Sequence, residues 1–156
     1  MIEMNMDIRH DFLQFVVSFG ALTELVKAKT GQEVSFSFVD EATINIGTIL
    51  KVTIPVINRD VSKEISITVS DIELKDERLQ LRYDAGTMMN FLSTIIAKFL
   101  PASVIEHGVV DFQNDSTVVI HLDKVEKAHK VLQQIDVQSI NFNEASAILD
   151  FALRLA

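Results

Sequence analysis

Cysteine and tryptophan are absent from the 156 residues, and glycine and proline are scarce, at five and two. Without cysteine there is no disulfide and no thiolate metal site, and no redox compartment can be inferred. So little glycine and proline excludes a linker-rich or disordered chain. Positive charge is also short, with 14 Lys and Arg against 22 Asp and Glu, for a net charge of -8. Broad contact with nucleic acid or an anionic membrane surface needs a basic face, so neither partner is expected. Long hydrophobic runs are missing as well. The most apolar stretch, residues 88–105, is interrupted by Asn90, Lys98 and Pro101 and falls short of the ~20 residues of a membrane span. The opening MIEMNMDIRHDF is charged and does not read as a signal peptide. The expectation is a cytoplasmic protein with no transmembrane segment.

What is present is core. Hydrophobic residues make up 48% of the chain, led by Ile, Val, Leu and Phe. A chain of this length fits one domain, residues 1–156, that buries roughly 68–70% of its unfolded surface. The stretch GTMMNFLSTIIAKFL (86–100) stands out. Met88, Leu92, Ile95, Ile96 and Phe99 recur at helical spacing, while Met89, Phe91 and Leu100 widen the stripe. A helix this apolar needs burial on most sides. Asp84 or Thr87 can cap its start, and Pro101 ends it.

A first helix is expected from about Asp7 or Asp11 to Thr30. Phe12, Phe15, Val16, Phe19, Leu22 and Val26 form its stripe, and Lys27, Lys29 and Gly31 form its C-terminal signal. Gly20 inside it suggests a bend or a close helix contact. From Glu33 the period changes to two. Val34, Phe36 and Phe38 precede a turn at Asp40–Glu41, and Ile44, Ile46, Leu50, Val52, Ile54 and Val56 then share one face. Fourteen extended residues would exceed ~45 Å, too long for a flat strand in a small domain. Gly47 therefore reads as a bulge or sharp bend, and Pro55 as an edge position.

Asn58–Asp60 turns the chain into Ile65, Ile67 and Val69. The apolar face resumes at Ile72 and Leu74, an odd step that places a bulge near Ser70–Asp71. A charged turn at Lys75–Arg78 leads to Leu79, Leu81 and Tyr83. Beyond Pro101, Val110 and Phe112 turn through Asn114–Ser116 into Val118, Ile120 and Leu122. Asp123 and Glu126 have capping-box spacing ahead of a short helix with Val125, Ala128, Val131, Leu132 and Ile135. Val137, Ile140 and Phe142 then turn at Asn143–Glu144 into Leu149, Phe151, Leu153 and Leu155. The pattern gives an α+β fold: a strongly curved antiparallel meander sheet packed around two apolar helices, with a third short helix. Residues 69–83 lie over 137–151 without a gap, matching Val69 with Val137, Ile72 with Ile140, Leu74 with Phe142 and Tyr83 with Phe151. Convergent hairpins explain this resemblance as the first choice, and duplication is the alternative.

Catalytic motifs are missing: there is no phosphate loop, nucleophile elbow or zinc-protease helix. His107, Asp111 and His121 would approach one another if their strands pair, but no metal-ligand spacing supports a metal site there. His10 and His129 read as solvated helix residues. The acidic residues mark turns and surfaces rather than a paired catalytic site. No enzyme, cofactor or metal is expected.

The pattern I-x-L-x-D-x-x-L-x-L at 72–81 followed by the apolar stretch resembles bacterial members of the tubular lipid-binding superfamily, and residues 116–151 are similar to their C-terminal part. The resemblance covers about residues 60–155. It implies a curved sheet around a long helix, with a lipid in the groove. On that expectation a lipid or fatty acid lies along Met88, Met89, Leu92, Ile96 and Phe99, with Lys98 near its headgroup. The alternative class is a protein–protein interaction module or homodimer, pairing through a sheet edge or through apolar residues of the first helix from Phe12 to Phe19.

Overall fold

The computed structural model describes residues 2–7, 12–54, 59–86, 100 and 107–154. The expected helix 86–100 thus falls almost entirely outside the described residues, as does Pro55. In chain order the elements are β1 (Ile2–Asp7), β2 (Phe12–Ser18), α1 (Phe19–Thr30), β3 (Val34–Asp40), β4 (Thr43–Ile54), β5 (Arg59–Lys75) and β6 (Arg78–Asp84). Then come β7 (Val110–Gln113), β8 (Thr117–His121), a 3-10 turn (Leu122–Lys124), α2 (Glu126–Leu132), β9 (Ile135–Phe142) and β10 (Ser146–Leu153). The class is α+β with antiparallel pairing, as expected. There are two sheets rather than one, ordered β1-β2-β10-β9 and β3-β4-β5-β6-β8-β7.

The first helix begins late. Residues 12–18 form a strand paired on both sides, Leu13 with Met6 and Phe151, Phe15 with Met4 and Leu149. In FLQFVVS apolar residues satisfy both periods, and the β-branched Val16–Val17 favours the strand once β10 supplies a ladder. Ser18 then caps α1, its Oγ accepting from the Ala21 N–H at 3.1 Å. Gly20 sits in the first turn, so it bends nothing. Gly31 closes the helix in the left-handed conformation, as the sequence signals. With Phe12–Ser18 placed inside a sheet, the helix-mediated dimer contact loses its basis.

Neither sheet is strongly curled. Gly47 pairs in unbroken register with Ser35 on one side and Ser66 on the other, so it is no bulge. Its missing side chain makes room instead, since a Cβ there would lie 2.7 Å from Ser35 Oγ. The length of β4 is absorbed by overhang. Strand β3 flanks it only to Thr48, and β6 flanks β5 only from Thr68, so Ile49–Ile54 and Arg59–Glu64 pair with each other in a two-stranded ribbon. The bulge expected near Ser70–Asp71 is present between Ser70 and Glu73, with Asp71 at φ 53°. The short helix lacks its capping box: Val125 is the N-cap with no side-chain bond, Asp123 lies in the 3-10 turn, and Ile135 belongs to β9.

The pairing is repeated within the chain. In one hairpin Val69 faces Tyr83, Glu73 faces Gln80 and Leu74 faces Leu79. In the other the matching residues face each other in the same way: Val137 and Phe151, Asn141 and Ile148, Phe142 and Ala147, with a bulge in the same window. The repeat also extends to segments whose likeness the sequence reading did not notice. Strands β7-β8 lie on β6 as β1-β2 lie on β10: Arg78–His121, Leu79–Ile120 and Leu81–Val118 match Ser146–Ser18, Ala147–Val17 and Leu149–Phe15. VDFQ of β7 stands where IEMN of β1 stands. Even the cross-links match, with Phe19 N–H donating to Ala145 C=O at 2.8 Å and Leu122 N–H to Glu77 C=O at 2.9 Å. Chance hairpins have no reason to share a bulge and a cross-link, so duplication is the better account.

Each half is thus a hairpin, a helix and a closing hairpin, and the closing hairpins are exchanged between the halves. The apolar faces meet between the sheets, where Phe19, Ile44, Val69 and Phe142 form a buried cluster with Leu22, Phe36, Ile72 and Ile140 against it. Phe19 and Phe36 stack with centroids 6.4 Å apart. Ile65 is wholly shielded, at 0% exposure. Ile65→Ala is expected to lower stability by about 2–5 kcal/mol, the range for a truncated core aliphatic, read by urea denaturation.

Candidate functional site

The inner face of the six-stranded sheet near β6 is laid down by the alternation of that strand. Across β6 and β8 it carries Leu79, Leu81, Tyr83, Val118 and Ile120, with Val118 buried and the others partly so. Tyr83 meets Phe112 of β7 edge to face at 6.2 Å. Charged and polar residues Arg78, Gln80, Arg82 and Asp84 occupy the opposite face of β6 and are exposed.

The apolar stretch 87–106 starts from and returns to this region. Ala85 just before it is 4% exposed and Val109 just after it is 8% exposed. The chain leaves β6 through Gly86, whose N–H bonds Asp84 Oδ1 at 2.8 Å and whose φ of 57° suits glycine. The expected ligand residues Met88, Met89, Leu92, Ile96, Phe99 and Lys98 themselves lie outside the described residues.

Open depressions among the described residues have mixed linings of aliphatic, polar and charged residues. One of about 340 Å³ lies between residues 72–77 and 135–140, with Leu132 and Arg154 at its end. A second, about 640 Å³, opens over Gly47 beside Gln32, Glu33, Ile49 and Glu64. A third, about 390 Å³, is bordered by Lys75, Arg78, His121, Glu73 and Asp76.

The described histidines form no metal-binding group. Among the described residues no group of three His, Asp or Glu side chains is placed to hold a metal ion, so His107, Asp111 and His121 remain apart. His129 is not a solvated helix residue. Its Nδ1 meets the Glu77 carboxylate at 2.5 Å and its Nε2 meets Gln133 at 3.1 Å. That contact ties α2 to the β5–β6 turn, where Asp76 and Glu77 both have positive φ. The sequence reading missed it because residues 77 and 129 are brought together only by the exchange of hairpins.

A second polar cluster was also not anticipated. Gln14, Asp150 and Ser139 form one cross-strand row on the outer face of the four-stranded sheet. Gln14 Nε2 and Ser139 Oγ each donate to a different oxygen of Asp150 at 3.0 Å. All three are partly buried and satisfied, which makes the row structural rather than reactive. No described helix is long and apolar enough to cross a membrane. No known family model, curated protein or solved structure matches this chain. Asp150→Ala is expected to cost about 1–3 kcal/mol by stranding the Gln14 and Ser139 donors, with Asp150→Asn recovering part of the loss in the same urea titration.

Proposed function

We propose that this chain is a non-catalytic binding protein that holds a lipid chain or another small apolar ligand along the stretch 87–99. The observation that supports this reading is the place of that stretch in the chain. Along the chain the most apolar segment of the sequence follows buried Ala85 and precedes buried Val109. Beside those residues lies the inner face carrying Leu79, Leu81, Tyr83 and Ile120, which is only partly covered. Met88 and Met89 suit a lining because a thioether adapts to the shape of an acyl chain. The resemblance of 72–81 and 116–151 to lipid-binding tubular domains points the same way.

Each enclosed methylene contributes roughly 0.8 kcal/mol, so eight carbons supply ~6 kcal/mol before the costs of binding. A fluorescent fatty acid titrated into the protein is expected to bind saturably. Met88→Trp and Met89→Trp are expected to fill the slot and weaken binding at least tenfold while circular dichroism stays unchanged. Absence of saturable binding, or undiminished binding by both variants, contradicts the reading.

A further inference from the structure

The internal repeat leaves one place unfilled. In the first half, strand β4 covers the outer edge of β5, and the turn before β4 reaches across to β9, where Phe142 N–H donates to Glu41 C=O at 2.9 Å. The second half has no counterpart of β3 and β4. Among the described residues nothing pairs with the outer edge of β9, which is the counterpart of the edge that β4 covers. The space itself exists. It is the groove of about 340 Å³ between residues 72–77 and 135–140. By the repeat, its counterpart lies between residues 140–145 and 67–72, where Ile44 packs against Val69 and Phe142.

Consecutive rather than alternate residues line both walls of this groove, so it runs along strand edges and not over a sheet face. Hydrogen-bond parity agrees. Asn143 N–H bonds Ser146 C=O and Arg154 N–H bonds Gln134 C=O, which fixes the inward-bonded positions at the two ends of the β9–β10 ladder. By alternation the backbone groups of Ile135, Val137 and Ile140 then point outward. Across the groove Leu74, at a non-bonded position beside the Lys75–Arg78 turn pair, turns its N–H the same way. Leu74 matches Phe142 in the repeat, but no turn or loop carbonyl among the described residues accepts from its N–H as Glu41 C=O accepts from Phe142 N–H.

We propose that this groove is a seat for an extended segment of a partner protein. The segment pairs antiparallel with β9 as β4 pairs with β5, and its backbone C=O accepts from Leu74 N–H as Glu41 C=O does from Phe142 N–H. The chemistry of the occupant follows from the walls. Ile72, Leu74, Ile135, Val137 and Ile140 call for aliphatic residues at alternate positions, as in TINI of β4. Glu77 is already held by His129 and Asp136 by Arg154, which leaves Glu73 and Asp76 against Lys75 and favours lysine or arginine at its ends. The same acidity, on a chain of net charge -8, disfavours a second copy of this protein. The inference does not rest on the ligand reading of residues 87–99.

The probe is a synthetic peptide with the sequence of Thr43–Ile49 flanked by lysines, titrated into the full chain by calorimetry and amide exchange. Saturable one-to-one binding is expected, with amide exchange at Leu74, Val137 and Ile140 slowed at least tenfold. A glutamate-flanked version is expected to bind at least tenfold more weakly. Val137→Pro removes an outward N–H without breaking a β9–β10 bond and is expected to weaken binding at least tenfold. Should that variant not fold, the exchange of the three wild-type amides decides alone. No saturable binding up to millimolar peptide, or binding without protection of these amides, overturns the proposal. Self-association of the chain that protects the same amides also overturns it, in favour of a second copy.

Discussion

The fold rests on an exchange. The closing hairpin of each half seats on the opening hairpin of the other half. Strand β6 seats on β8, and β10 seats on β2. Two matching backbone hydrogen bonds mark the crossing points, one entering α1 and one entering the 3-10 turn ahead of α2. The opening hairpins β1-β2 and β7-β8 pair with no other described strand of their own half, and a hairpin of two strands is at best marginally stable in water. The pairings that join β2 to β10 span 128 to 140 residues of sequence. Ordering the chain between such distant strands costs entropy before any contact offsets it. Burial between the two sheets offsets that cost, and the cluster of Phe19, Ile44, Val69 and Phe142 draws one residue from each of four elements.

The exchange also explains where polar groups sit. His129 reaches Glu77 because the helix of one half lies over the closing turn of the other. Asp150 receives both of its hydrogen bonds across strand boundaries, from β2 and β9. These contacts hold the crossing in register and need no catalytic role. The departures from repetition lie where binding is proposed. Strands β3 and β4 belong to one half only, and the stretch 87–106 joins the halves.

Much of this was legible in the sequence. Period-two alternation located β3 through β10, and the odd step from Val69 to Ile72 located the bulge, because a single inserted residue flips the apolar face. The turns at Asp40–Glu41, Asp76–Glu77, Asn114–Ser116 and Asn143–Glu144 carry the polar residues that turns require. Residues 12–18 were misread because apolar residues on every side satisfy a helix and a strand equally, and only the partner strand decides. Gly47 was misread for a related reason. Excess strand length can be relieved by bending or by overhang, and local sequence does not distinguish them. Number of sheets, exchange of hairpins and the Glu77–His129 contact are long-range facts with no local signature. For the candidate ligand stretch, sequence supplies the apolar residues and the structure supplies the buried residues on either side.

The central claim is the crossing itself, and its two hydrogen bonds can be observed directly. Scalar couplings across hydrogen bonds, measured by NMR on labelled protein, report a donor and its acceptor as a pair. The account predicts a coupling from the Phe19 amide to the Ala145 carbonyl and a second from the Leu122 amide to the Glu77 carbonyl. Both amides should also exchange slowly and together, since one cooperative structure holds them. Couplings from these amides to carbonyls within their own half, or fast exchange at one amide while the other is protected, would contradict the exchanged-hairpin account.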